Sequence, residues 1–272
     1  MTYHIKQTES EYCFPVKYLC TILSFVFMLL FLCPLLPGGG EVSAQVNNDG
    51  MKADFLFQEP KRYLGFRIGI FSPEADSDLF NMVTEQLTLN KSDFRTWDFG
   101  IDIGFSPTER IDLVFSLDHS THSKNSEFRD YVDEQELPIT QSTEFSQTPL
   151  TAGIKYLFIP RGRQVGQYSW VPSTIVPYVI GGAGFLRYEF SQYGDFVDFS
   201  TLEIFSAAFE SSGSPFTYYL GGGTEINISK SAYINLGFRY YWADDGLDND
   251  FSGFDPIELG GYRLTAGIQW HF

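Results

Sequence analysis

The sequence predicts an all-β fold: an eight-stranded antiparallel up-and-down transmembrane β-barrel, preceded by a cleavable signal peptide. Three observations predict it. Successive segments alternate apolar and polar residues at period two, several over about ten positions, the length a tilted strand needs to cross a hydrocarbon layer. The connections between them alternate short and long. The last segment alternates to the final residue, Phe272, with no turn or cap after it.

The start of the chain has a different character. Lys17 precedes an apolar run from Tyr18 to Leu36, then Pro37, three glycines and Val42-Ser43-Ala44-Gln45. A basic residue, an apolar run and a small-x-small site predict a secretory signal over 1–44, cleaved after Ala44. The run is long, and Glu9 and Glu11 precede it, so an uncleaved anchor is the alternative. Phe31-Leu32 before Cys33 lacks the small residue a lipoprotein site needs. All three cysteines, Cys13, Cys20 and Cys33, lie in this segment. Its removal would leave no disulfide, thiolate nucleophile or cysteine metal site. The net charge of −16 argues against a nucleic-acid partner. Residues 45–61 are polar without a period and read as a periplasmic leader; 62–272 is the barrel.

Taken in order, the first strand, Tyr63–Phe71, sets Leu64, Phe66, Ile68 and Ile70 against Gly65, Arg67 and Gly69. Phe94–Phe105 sets Trp97, Phe99, Ile101, Ile103 and Phe105 against Asp98, Gly100, Asp102 and Gly104. Arg110–His119 sets Ile111, Leu113, Phe115 and Leu117 against Asp112, Ser116 and Asp118. Pro149–Phe158 sets Leu150, Ala152, Ile154, Tyr156 and Phe158 against Thr151, Gly153 and Lys155. Val176–Phe190 is glycine-rich and its register is open. Phe216–Ile228 sets Phe216, Tyr218, Leu220, Ile226 and Ile228 against Gly221, Gly223 and Glu225. Ala232–Trp242 sets Ile234, Leu236, Phe238, Tyr240 and Trp242 against Asn235, Gly237 and Arg239. The closing strand carries Tyr262, Leu264, Ala266, Ile268, Trp270 and Phe272 on one face. Arg263, Thr265, Gly267, Gln269 and His271 occupy the other.

The connections 72–93, 120–148, 191–215 and 243–258 are long; 106–109 and 229–231 are short; 159–174 is intermediate. Short periplasmic turns opposite long outer loops is the outer-membrane pattern, and an even strand number puts both termini in the periplasm. Pro177-Tyr178 with its glycine-rich strand, and the terminal Trp270-His271-Phe272, resemble the small outer-membrane β-barrel domain family of the OmpA/OmpX kind over about 62–272. That resemblance implies that the apolar residues of the closing strand are read by the barrel assembly machinery. It also implies contact with outer-membrane lipid and lipopolysaccharide. A soluble up-and-down barrel such as a lipocalin is the alternative, with its apolar face inside. The many small glycines on the polar face suit a crowded interior instead.

The inward face carries Arg67, Lys155, Arg239 and Arg263 with Asp98, Asp102, Asp112, Asp118 and Glu225. Buried charges must be paired. The nine form either an ion-pair network filling the lumen, or a proton or ion path; eight strands leave little room for a pore.

Two further constellations are weaker. Asp118-His119-Ser120-Thr121-His122-Ser123 has the residue types of a serine nucleophile, base and orienting carboxylate, as at the rim of some lipid A-remodelling barrels. Consecutive strand residues diverge, however, so no catalysis is expected. Asp248-Asn249-Asp250-Phe251-Ser252-Gly253 begins like a calcium loop, with Asp248, Asp250 and Asp255 as candidate oxygen ligands. The closing acidic residue falls one position early and the flanks read as strands, so a solvated acidic loop competes with it. No other cofactor is implied.

The four long connections hold 21 acidic and 3 basic residues. Such a field favours cationic partners, and lipopolysaccharide would need bridging divalent cations to approach it. The sequence therefore predicts a non-enzymatic outer-membrane barrel with acidic extracellular loops and a structural or surface-interaction role. The alternative is a narrow channel for small solutes or ions, ahead of a lipid A-modifying enzyme. The extracellular ligand is not legible.

Overall fold

The period-two segments become the staves of a closed wall. The computed structural model describes residues 56, 58–133, 135–165, 169–198, 201–247, 249–251 and 253–272; the expected signal peptide and residues 45–55 lie outside them. The strands are β1 (Arg62–Pro73), β2 (Thr96–Thr108), β3 (Ile111–Val132), β4 (Pro138–Leu157), β5 (Gly162–Val165) and β6 (Ser169–Pro172). There follow β7 (Ile175–Val197), β8 (Ile204–Gly213), β9 (Phe216–Ser229), β10 (Ala232–Trp242), β11 (Asp244–Asp245), β12 (Ile257–Glu258) and β13 (Gly261–His271). Helix α1 spans Asp78–Gln86.

Each wall strand pairs antiparallel with the next one along the wall. Strand β8 continues the stave of β9: β8 pairs with Tyr188–Val197 of β7, and β9 with Ile175–Phe185. The ring closes where β13 pairs with β1, from Tyr63↔His271 to Pro73↔Gly261. The Phe272 N–H donates to the Arg62 carbonyl at 2.9 Å, and the Arg62 N–H to the Phe272 carbonyl at 3.1 Å. The wall is an eight-stranded antiparallel up-and-down barrel.

Its exterior is apolar. Phe66, Ile68 and Ile70, Trp97 and Phe99, Leu113 and Phe115, and Leu264, Ile268 and Trp270 all project outward, exposed, on their strands. The intervening Arg67, Asp98, Asp112 and Arg263 are buried. A soluble barrel has the reverse arrangement, so the exterior is built for an apolar surrounding. At about 3.3 Å per residue and a tilt near 45°, an 11-residue strand such as β13 covers roughly 25 Å, the height of a lipid-facing band.

Strand β7 explains why its register is illegible. Val176, Tyr178, Ile180, Leu186, Tyr188 and Phe190 all face inward while Ile175, Val179 and Phe185 face outward, so this stave carries apolar residues on both faces and the alternation that marks the others is lost.

The connections read as long loops at 120–148 and 191–215 are instead mostly strand. Strands β3 and β4 run 22 and 20 residues, and pair from Ser120↔Gln147 to Glu127↔Thr140. Beyond the lipid-facing band the outer face no longer needs apolar residues, so the alternation that marks a membrane strand fades while the hydrogen-bonded ladder continues. Residues 72–93, read as loop, contain α1. Leu79, Phe80 and Val83 share its buried face, and Asp78 lies in its first turn, where a carboxylate suits the helix dipole.

The long connections also build a second apolar core, at the end of the barrel opposite the short turns. Phe80 lies at its centre, with edge contacts to Phe94 at 5.0 Å, Phe145 at 5.5 Å and Phe190 at 5.8 Å. Phe128, Ile139, Leu247, Phe251, Ile257 and Leu259 join the same cluster. That end is therefore capped by an apolar cluster.

Candidate functional site

Three tiers of charge fill the lumen below the cap. In the tier nearest the cap, Arg263 Nε donates to Asp98 Oδ1 at 2.9 Å and Nη2 to Gln147 Oε1 at 3.3 Å. The Arg263 guanidinium lies over the rings of Phe71 and Tyr241, at 4.2 and 4.5 Å, with no measurable exposure to solvent.

The middle tier is built round Asp102. Arg67 Nε lies 2.8 Å from Asp102 Oδ2, and its Nη2 lies 2.7 Å from Asp118 Oδ1. Arg239 approaches from across the lumen, with Nη2 at 3.2 Å from Asp102 Oδ2 and Nη1 donating to Ser116 Oγ at 3.0 Å. Ser116 donates in turn to Asp102 at 2.6 Å, and the Tyr241 hydroxyl donates to Asp118 at 3.1 Å.

The tier at the turn end centres on a residue the sequence reading did not assign. Arg161 lies in the connection between β4 and β7, yet its side chain enters the lumen and bridges two carboxylates. Nη1 donates to Asp112 Oδ1 at 3.0 Å and to Ser106 Oγ at 3.2 Å; Nε donates to Glu225 Oε2 at 2.6 Å. Lys155 Nζ pairs with the same Glu225 at 2.9 Å and lies over the Tyr63 and Tyr178 rings, at 4.6 and 4.7 Å. Four cations against five anions was an unbalanced inward face. Arg161 makes it five and five among the described residues, and that deficit was the signal that could have found it.

Glycines on the inner face make room for these side chains. A Cβ on Gly100 would meet Asp118 and Arg67, and one on Gly104 would overlap the Tyr63 ring. Tyr63 is held by the cations of Lys155 and Arg161 on its ring and by stacking on His271 at 5.0 Å, so it has nowhere to swing. Gly104→Ala should therefore cost about 1–3 kcal/mol, as overpacking does. Urea unfolding of the lipid-embedded barrel checks this; an unchanged midpoint would mean that Tyr63 is loosely held.

The rim constellation does not assemble. Asp118 is buried on the inner face, while His119 is exposed on the outer one with Nδ1 2.9 Å from Thr148 Oγ1. His122 stands above the band, edge-on to Phe94 at 5.9 Å; burial, aided by the Lys124 charge, lowers its pKa from the ordinary histidine value. Ser123 donates to Glu144 at 3.1 Å.

Of the three candidate calcium ligands the structure describes Asp250 and Asp255. Asp248 lies outside the described residues. Asp250 Oδ2 accepts the Glu210 N–H at 3.2 Å, and Asp255 is solvent-exposed. Among the described residues no group of three or more His, Cys, Asp or Glu side chains is arranged to hold a metal ion.

On the closing strand, Tyr262, Leu264, Ala266, Ile268 and Trp270 form one outward row, and Phe272 continues it at 63% exposure.

No protein-family model matches the sequence, and no curated protein does. The structure is similar to that of Neisserial surface protein A, at 10% identity and a TM-score of 0.44, over 78% of this chain and 96% of that one. It is similar to the outer membrane protein OprG from Pseudomonas aeruginosa, at 12% identity and a TM-score of 0.41, over 80% and 99% of the two chains. It is also similar to Ail, the attachment invasion locus protein of Yersinia pestis, at 13% identity and a TM-score of 0.38, over 78% and 100%.

Proposed function

We propose that the chain is a non-enzymatic β-barrel of the bacterial outer membrane, with a blocked lumen and a structural or surface-interaction role carried by its acidic outer end. Both termini then face the periplasm, and the wall contacts outer-membrane lipid and, at its outer rim, lipopolysaccharide. The observation that carries the reading is the lumen itself. Five cations and five anions, interleaved with Tyr63, Tyr178, Tyr219 and Tyr241, occupy an interior that in eight-stranded barrels is just wide enough for side chains. The divergence of Asp118 and His119 supports the non-enzymatic part.

A channel is the second reading, and one observation favours it. Arg67 Nη1, Asp98 Oδ2 and Arg263 Nη1 are buried without a protein hydrogen-bond partner, and such groups are normally met by water. Bridging water in separate pockets is compatible with a blocked lumen; a continuous file is not. Planar-bilayer recording separates the two. No steady conductance is expected from the intact barrel. Conductance in the wild type that changes in Arg67→Ala or Arg239→Ala would move the protein to the channel class.

A further inference from the structure

A cavity of about 230 Å³ opens in the outer cap, lined by side chains from all four long connections. Its lining includes Met82 and Val83 of α1, Phe128 of β3, Phe196 and Phe209 of β7 and β8, and Phe251. The rings run in a chain of contacts: Phe196 on Phe209 at 4.7 Å, Phe209 on Phe251 at 6.1 Å, Phe251 on Phe254 at 6.3 Å. The lining also includes one buried polar side chain with an unpartnered oxygen. Gln141 on β4 is 4% exposed, and its side-chain oxygen accepts no hydrogen bond. Its neighbour Gln192, also in the lining, is already engaged, donating to Thr143 Oγ1 at 3.2 Å.

A buried amide oxygen left unpaired is costly, and an apolar cavity with one such acceptor has the make-up of a ligand site. We propose that the cap binds a small neutral aromatic molecule bearing a single hydrogen-bond donor, of the indole or phenol class, with the donor on Gln141 Oε1 and the ring against Phe209 and Phe251. Size sets the upper limit. A 150 Å³ cavity accommodates benzene and pockets for larger ligands start near 300 Å³, so about 230 Å³ fits one ring or two fused rings. Aromatic walls favour an aromatic guest through offset and edge-on ring contacts. Charge selects against acids: Asp250 stands in the lining, and the surrounding connections are strongly acidic. This site is separate from the lumen network and independent of whether the lumen conducts.

Met82 gives a direct probe, because it lines the cavity and is the one methionine among the described residues. The protein, labelled at methionine methyls and taken from outer membranes into lipid nanodiscs, is titrated with indole and with indene, which has the same shape and no N–H donor. The Met82 resonance should shift and saturate with indole. Indene should bind about fivefold more weakly, the effect of one hydrogen bond to a buried acceptor. Gln141→Leu should erase that preference and retain indene binding. No Met82 shift with either compound up to millimolar concentration would overturn the site. Equal affinities in the wild type would overturn the assignment of Gln141 as the anchor, and this comparison needs no variant to fold.

Discussion

Replacing Arg161 by alanine is expected to destabilise the barrel by about 3–5 kcal/mol, the cost of breaking a buried ion pair from one side. The guanidinium donates to Asp112 and Glu225, both without measurable exposure, and to Ser106. Its loss leaves one full carboxylate, Asp112, with only the 2.7 Å hydrogen bond from Ser106, and leaves Glu225 to Lys155 alone. Water entering from the turn end would reduce the effect. The control is Lys91→Ala. Lys91 pairs with Asp76 where both side chains are about half exposed, so that change should stay within about 1 kcal/mol. Urea unfolding of both variants in lipid, against the wild type, makes the comparison. Equal shifts for the two would mean that Arg161 is solvated and does not complete the lumen charge. In a double variant, Asp112→Asn with Arg161→Ala should recover part of the loss, because the amide needs no counter-charge.

Removing Phe272 is expected to leave the protein exported but largely unassembled in the outer membrane. The side chain ends the outward row Tyr262, Leu264, Ala266, Ile268 and Trp270, and it is exposed rather than packed against the wall. Its folding role is therefore small. What the deletion costs in the folded barrel is two backbone hydrogen bonds to Arg62, about 1 kcal/mol each. Phe272→Ala keeps those bonds and removes only the ring, so a matching assembly defect in that variant points to recognition and not to stability. Outer-membrane fractionation measures assembly, and refolding in detergent, which needs no machinery, should be nearly normal for both variants. Normal outer-membrane levels of the truncated protein would remove the assembly-signal reading.

Much of the wall was written locally. In β1, β2, β3, β4, β9, β10 and β13 the side of the sheet that each charged residue takes follows from its parity, because a strand points successive side chains to opposite faces and here one face meets an apolar surrounding. Arg67, Asp98, Asp102, Asp112, Asp118, Lys155, Glu225, Arg239 and Arg263 were therefore legible as inward residues one strand at a time, and all nine are buried. No long-range information was needed, since the period of a strand does not depend on its neighbours.

Only the closed ring decided the rest. Arg161 sits in a connection with no period, and its partners Asp112 and Glu225 lie 49 and 64 residues away in sequence. Nothing local says that this side chain turns back into the lumen; the unpaired fifth anion says it, and only after the inner faces of seven strands are brought together. Helix α1 is nine residues long, too short to persist alone, and forms because Leu79, Phe80 and Val83 are buried in the cap. The inward apolar row of β7 is likewise set by what it packs against, the cap at one end and Tyr219 and Tyr241 with their cluster at the other. Parity along a strand is a property of the backbone and can be read from sequence. Which side chains share an interior, and what fills it, is a property of the closed barrel, because closure alone brings residues far apart in the chain within contact.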